Sequence, residues 1–168
     1  MQLDLNEVPD FYRPYFNHIA DESIIASLER SKYAYDSIIQ ELTEEKSFHR
    51  YAEGKWSIKD VLQHIIDVER VFMYRALRFS RNDGTDLSGF EENEYASDAN
   101  ADARSLEALT KEFDALRSSS IAFFHSLEEK KLDRKGTANG HPMSVRFLGY
   151  LISVHLLHHL QVINERYL

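Results

Sequence analysis

Two histidines near the end of the chain, His155 and His159, stand four residues apart in the run His155-Leu156-Leu157-His158-His159. On a helix this spacing sets the two side chains about 40° apart around the axis and about 6 Å along it, so both imidazoles can face one point. That is half of a metal site, and a mononuclear centre needs at least a third ligand. Both histidines lie on an apolar seam of three-four spacing: Val145, Leu148, Ile152, His155, His159 and Val162. His64 interrupts a comparable seam, among Val61, Ile65, Val68 and Phe72. Three neutral imidazoles suit zinc, nickel, iron(II), cobalt or copper, and ligand type does not choose among them. Three protein ligands leave room for water or substrate, as at a catalytic metal that acidifies what it binds. This is not the zincin protease motif, because Leu156 stands where that motif carries its glutamate base. A plainer reading makes the three histidines core polar groups, hydrogen-bonded to a carboxylate or a tyrosine hydroxyl across a bundle.

The elements that must position these residues follow from periodicity and punctuation. A first helix is expected from about Asp21 to Leu42, with Ile25, Leu28, Tyr35, Ile38 and Leu42 inward. Trp56-Ser57-Ile58-Lys59-Asp60 marks the next helix start: Ser57 can cap the amide of Asp60, Asp60 can reach back, and Trp56 can staple onto Val61. That helix should run to about Arg81 and carry His64 two turns in. Residues 82–97 form a crossover long enough to pass over the end of a bundle, and connections of this length often cover a site. A third helix is expected from about Ala99 to Lys130 on the seam Leu106, Leu109, Phe113, Leu116, Ser120, Phe123 and Leu127. Ser120 is its one small polar interruption and leaves room for another group. Asp133 to Met143, with Asn139-Gly140 and Pro142, reads as a turn or short hairpin, after which Ser144 caps the last helix.

Residues 1–20 carry Pro9 and Pro14 among Phe11, Tyr12, Tyr15 and Phe16, and are expected as an irregular or short-helical lead-in lying across the bundle. The whole reads as all-α, a four-helix bundle forming a single domain over residues 1–168. His64 lies seven residues inside its helix and His159 nine before the chain end. Their rings share a level only if those two helices run antiparallel.

Composition narrows the function classes. A chain of 168 residues, 43% hydrophobic, can bury one core. Its net charge of -8, spread along the sequence, disfavours nucleic acid and anionic membrane as partners. No cysteine is present, so a thiol nucleophile, a disulfide framework and thiolate-bound zinc are excluded. Met1-Gln2-Leu3-Asp4 has no signal-peptide character and no apolar run is long enough to span a bilayer, so a cytoplasmic location is expected.

Several short motifs occur in a telling order. They are Lys55-Trp56-Ser57 leading into Val61-Leu62-Gln63-His64, then Gly89-Phe90-Glu91-Glu92, Asn139-Gly140-His141 before Ser144-Val145, and the closing His155 to His159. In these the chain resembles the DinB-like superfamily of four-helix metal-binding proteins, over roughly residues 24–166. That superfamily also contains YfiT-type hydrolases and bacillithiol transferases. The resemblance implies an up-down-down-up bundle with a long crossover between helices 2 and 3. It also implies a metal triad at His64, His155 and His159, the same three that the seams select. Many relatives place a glutamine three residues after the last histidine. Here Gln161 follows by two and Val162 holds that position, which puts a supporting role for Gln161 in doubt. The family name derives from DNA-damage induction rather than DNA binding, which links it to stress response.

The expected function is a metal-dependent enzyme acting on a small molecule, by hydrolysis or by transfer of a low-molecular-weight thiol. Its cofactor would be a divalent transition metal: zinc, nickel, iron or manganese. The resemblance favours the thiol version, since relatives include thiol transferases and a thiol-dependent isomerase. No general base is assigned. Asp67 could point near the site, but Asp67 and Glu69 read as helix-surface charge, His158 as a flank residue, and Glu91, Glu92 and Tyr95 as caps only if the crossover folds over the pocket. The alternative is a non-catalytic four-helix binding or stress-response module with a structural metal or none. Homodimers are common among such bundles, through residues 1–20 or an exposed face.

Overall fold

The computed structural model describes residues 8, 16 and 22–168. The expected lead-in over residues 1–20 lies outside these except for Val8 and Phe16, which are buried. Four long helices make the body: α1 (Ile24–Glu41), α2 (Ile58–Ser80), α4 (Leu106–His125) and α6 (Val145–Arg166). Between α2 and α4 lie the short helix α3 (Glu92–Ala99) and a 3-10 turn, Ala101–Ala103. A single turn, α5 (Glu129–Leu132), and an antiparallel hairpin of β1 (Lys135–Ala138) and β2 (His141–Ser144) precede α6. No helix among the described residues is long and apolar enough to cross a membrane.

The first two long helices do not pack on each other. Both α1 and α2 rest against α4 and α6, leaving α1 diagonal to α2. Three contacts fix the directions. Tyr150 Oη donates to the carbonyl of Glu22 at 2.6 Å, so α1 and α6 start at the same end. Arg117, late in α4, donates to the carbonyl of Leu28, early in α1, at 2.9 Å. His64, early in α2, meets His155, late in α6. The order is therefore up-down-down-up, with α2 and α6 antiparallel as level-matching of the histidines requires.

Parallel α2 and α4 impose the long connection between them. A helix of 23 residues spans about 35 Å, and the chain must retrace that length before α4 can begin. The crossover accordingly runs back along α2 rather than over the bundle end. It is pinned to the hairpin first: Leu87 N donates to the carbonyl of Thr137 at 3.0 Å, and Asn139 N donates to that of Leu87 at 2.9 Å. Gly89 leaves room there for the Asn139 side chain, which a Cβ would displace. Asn139 (φ 52°) and Gly140 (φ 75°) make the hairpin turn in the left-handed region. At the far end Asp102 reaches the start of α2, where its Oδ1 accepts from Ser57 Oγ at 2.7 Å.

Several expected boundaries and stripes shift. The third long helix starts at Leu106, not near Ala99, because Asn100 turns left-handed (φ 47°) and Ser105 supplies the N-cap. It ends at His125, and Lys130 belongs to α5. Ile24 takes the innermost place expected of Ile25. Every residue of α6 from Val145 to Leu156 is buried, so this is an enclosed helix rather than a one-sided seam; its near-continuous apolar run is the signature of that.

The largest departure is charged. Glu69, read as surface charge, is 3% exposed and pairs with Arg117, which is fully buried beside the expected α4 seam. The carboxylate accepts from Arg117 Nε at 3.0 Å and Nη2 at 2.8 Å, and from Ser120 Oγ at 2.7 Å. Arg117 Nη1 also donates to Ser31 Oγ at 2.8 Å. Ser120 thus leaves room for Glu69. Breaking such a pair leaves an uncompensated charge in the core. Arg117→Met alone should lower unfolding free energy by about 3–5 kcal/mol, measured by urea denaturation. Adding Glu69→Leu should recover most of it; a single variant as stable as wild type would contradict this account.

Candidate metal centre

The cluster is assembled where the first two turns of α2 face the last turns of α6. The start of α2 is fixed by a complete capping box: Ser57 Oγ accepts from Asp60 N at 3.0 Å, and Ser57 N donates to Asp60 Oδ2 at 2.9 Å. The end of α6 is tied to the same point, since Tyr167 Oη donates to the carbonyl of Trp56 at 2.9 Å. With both ends clamped, His64 and His159 lie opposite one another and His155 one turn deeper.

The three rings converge. Their ligand nitrogens all lie within 4.8 Å of one another. His155 Nε2 is 3.0 Å from His64 Nε2 and 3.1 Å from His159 Nε2. His64 and His155 are buried and His159 half-buried. Trp56 lies against His64 with ring centroids 4.9 Å apart, and Phe72 meets His155 edge-on at 5.8 Å. This dry setting disfavours charge on the rings. Burial lowers the pKa of His64 to about 4 and that of His159 to about 3, with smaller contributions from neighbouring histidines. His155, the deepest, is held well below the ordinary value, by burial first and by the other histidines next. At neutral pH all three are uncharged and each offers a lone pair.

Hydrogen bonding among the rings does not satisfy this geometry. A neutral imidazole nitrogen either donates or accepts, so His155 Nε2 can make one good hydrogen bond and not two at right distance. The rings have no carboxylate or tyrosine partner among the described residues, which removes the partners that the core-histidine reading requires. Nitrogens 3.0 and 3.1 Å apart are at the separation that bonds of about 2.0–2.1 Å to one shared ion produce. The donor set thus fits a divalent transition metal.

The other candidates fall elsewhere. His158 is half-buried on the flank, its ring 5.0 Å from that of His159, and burial lowers its pKa. Gln161 is exposed and donates to Glu165 at 2.7 Å, so it plays no part in the cluster. Asp67 accepts from Gln63 Nε2 at 3.0 Å, and burial raises its pKa. Glu91 and Glu92 are exposed, and Tyr95 lines a separate cleft with Tyr74, Leu87 and Phe90. The sequence reading missed Trp56 as a wall of the cluster, having assigned it only to the helix start; its place eight residues before His64, two helical turns away, was the available signal.

The chain belongs to the DinB superfamily, whose family model matches residues 27–163. Among solved structures it is similar to YfiT from Bacillus subtilis, described as a probable metal-dependent hydrolase with an unusual four-helix bundle topology. That match has a TM-score of 0.75 and 16% identity, over 84% of this chain and 82% of that one. At this identity the likeness establishes the fold. No curated protein matches the sequence.

The depressed histidine pKa values have a consequence for stability. Unfolded histidines titrate near 6.5, whereas His64 does so near 4 and His159 near 3 in the fold. Below pH 6.5 the unfolded chain therefore binds more protons, and stability falls as pH falls. Metal-free protein should lose about 1.4 kcal/mol per pH unit per histidine between about pH 6 and 4. Denaturant unfolding across that range should show a shallower slope for His64→Gln than for wild type.

Proposed function

We propose that His64, His155 and His159 hold a divalent transition metal (zinc, nickel, iron or manganese) and that the protein is a metal-dependent enzyme acting on a small molecule. The observation carrying this reading is the double contact at His155 Nε2, which hydrogen bonding cannot satisfy and a shared ion can. When bound, such a metal is a Lewis acid that acidifies a thiol or a water it takes up.

Transfer of a low-molecular-weight thiol is the reaction this chain supports best. The described residues bring no carboxylate into the cluster, and a thiol at a metal loses its proton without a protein base. The chain contributes no cysteine, so the sulfur comes from the substrate. Hydrolysis is the second reading, favoured by the description of YfiT. In either case the chain's own part is to present three neutral imidazoles, keep them dry with Trp56 and Phe72, and hold their level through the α2 and α6 end contacts.

Elemental mass spectrometry of protein purified without a histidine tag should find close to one metal per chain. His64→Ala and His155→Ala should each abolish it while remaining helical by circular dichroism. Metal-loaded protein should then turn over thiol-plus-electrophile mixtures faster than ester substrates. An absence of metal after reconstitution, with folded variants unchanged, would overturn the reading in favour of a non-catalytic module.

A further inference from the structure

A second cleft, of about 390 Å³, lies on the solvent side of Trp56, between the connection ahead of α2 and the α3 end of the crossover. Its lining includes Arg50, Lys55, Trp56, Asp60, Asn93 and Asp102. Trp56 is therefore common to both places, walling this cleft while packing against His64 at 4.9 Å.

The charges of the cleft are unevenly satisfied. Arg50 bridges its two carboxylates, with Nη1 at 2.7 Å from Asp60 and Nη2 at 2.6 Å from Asp102. Ser57 donates to each of the same two groups, through its backbone N to Asp60 at 2.9 Å and its Oγ to Asp102 at 2.7 Å. Lys55 differs. Its carbonyl accepts from Arg50 Nη1 at 3.0 Å, which holds its backbone in place, while its exposed ammonium has no partner among the described residues. The α3 side adds uncharged polar groups at Asn93, Ser97 and Asn100. Arg50 offsets one of the two carboxylate charges and Lys55 the other, so the four charged groups sum to zero. The Lys55 ammonium is the one of them with no hydrogen bond among the described residues, and its N–H donors stay open to a single carboxylate. A dianion would add repulsion from Asp60 and Asp102.

We propose that this cleft is the subsite for a carboxylate group on the small-molecule substrate. Lys55 Nζ is the ion-pair partner, Asn93 and Asn100 are amide donors, and the Trp56 indole is the surface along which the substrate reaches from cleft to metal. The link to catalysis rests on the three-histidine reading above; the binding of the carboxylate does not. The connection ahead of α2 and the crossover thereby acquire a shared role, since Arg50 and Asp102 join them and shape the cleft between Lys55 and Asn93.

Trp56 is the only tryptophan of the chain, so its emission reports on the cleft directly. The test is a titration of the full metal-free chain with N-acetyl-S-methyl-L-cysteine and, separately, with its primary amide. The acid should shift the emission saturably, and the amide should bind about tenfold more weakly or worse. Lys55→Gln should lose that preference and Lys55→Arg should keep it, both with wild-type metal content on reconstitution. The acid's affinity should also fall as salt is raised, and it should shift the His64 ring signals in NMR spectra. Equal binding of acid and amide, no emission change with either, or wild-type affinity in Lys55→Gln would overturn the assignment. Failure of the metal reading would instead appear as absent metal in elemental analysis, which the metal-free titration does not involve.

Discussion

Three uncharged imidazoles facing one another inside an apolar seam are what the rest of this structure serves. Left to themselves they are a local cost, because their polar edges are withdrawn from water and their contacts exceed what hydrogen bonds among them can satisfy. The bundle concentrates this cost where the start of α2 meets the end of α6. The buried charges elsewhere are paired, although the hydroxyls of Ser27, Tyr35 and Ser153 are not. Lys59, fully buried, is paired with Glu44, and Arg117 is enclosed by Glu69, Ser31 and the carbonyl of Leu28. The contrast between these paired charges and an unsatisfied trio of rings marks the site.

Topology follows from the same requirement. For His64 to meet His155 and His159, α2 must be antiparallel to α6 and in direct contact with it. With α1 taking the other side of α6, α4 closes the bundle parallel to α2, and only a connection as long as α2 can join those two. That connection then does more than link. It is pinned at the hairpin through Leu87 and Gly89, and at the cap of α2 through Asp102. The cap that sets the level of His64 is therefore held from outside by the crossover and from below by Tyr167.

Much of this was legible in the sequence because it was written in periodicity and caps. The seam positions of His64, His155 and His159, the Ser57 and Ser144 caps, and the Asn139-Gly140 turn are local signals, and the structure has each of these elements in place. What was not legible was long-range compensation. Glu69 reads as surface charge until Arg117, 48 residues away, is known to face it, and no pattern along either helix says so. Arg117 itself sits beside the apolar seam, where a long cation is ordinarily expected to reach solvent. The start of α4 was misplaced for a different reason: α3 continues the helical composition up to Asn100, and only the left-handed turn there separates the two. Trp56 was placed correctly in the chain and given too small a part, since its contact with His64 depends on the tilt of the incoming segment.

The most direct test of the central claim is X-ray absorption at the K-edge of whichever metal the reconstituted protein retains. Three imidazole nitrogens at about 2.0–2.2 Å, with the remaining positions filled by light atoms that exchange for sulfur when a small thiol is added, are expected. A sphere closed by four protein ligands, or fewer than three imidazoles, would contradict an open three-histidine centre and with it the enzymatic account.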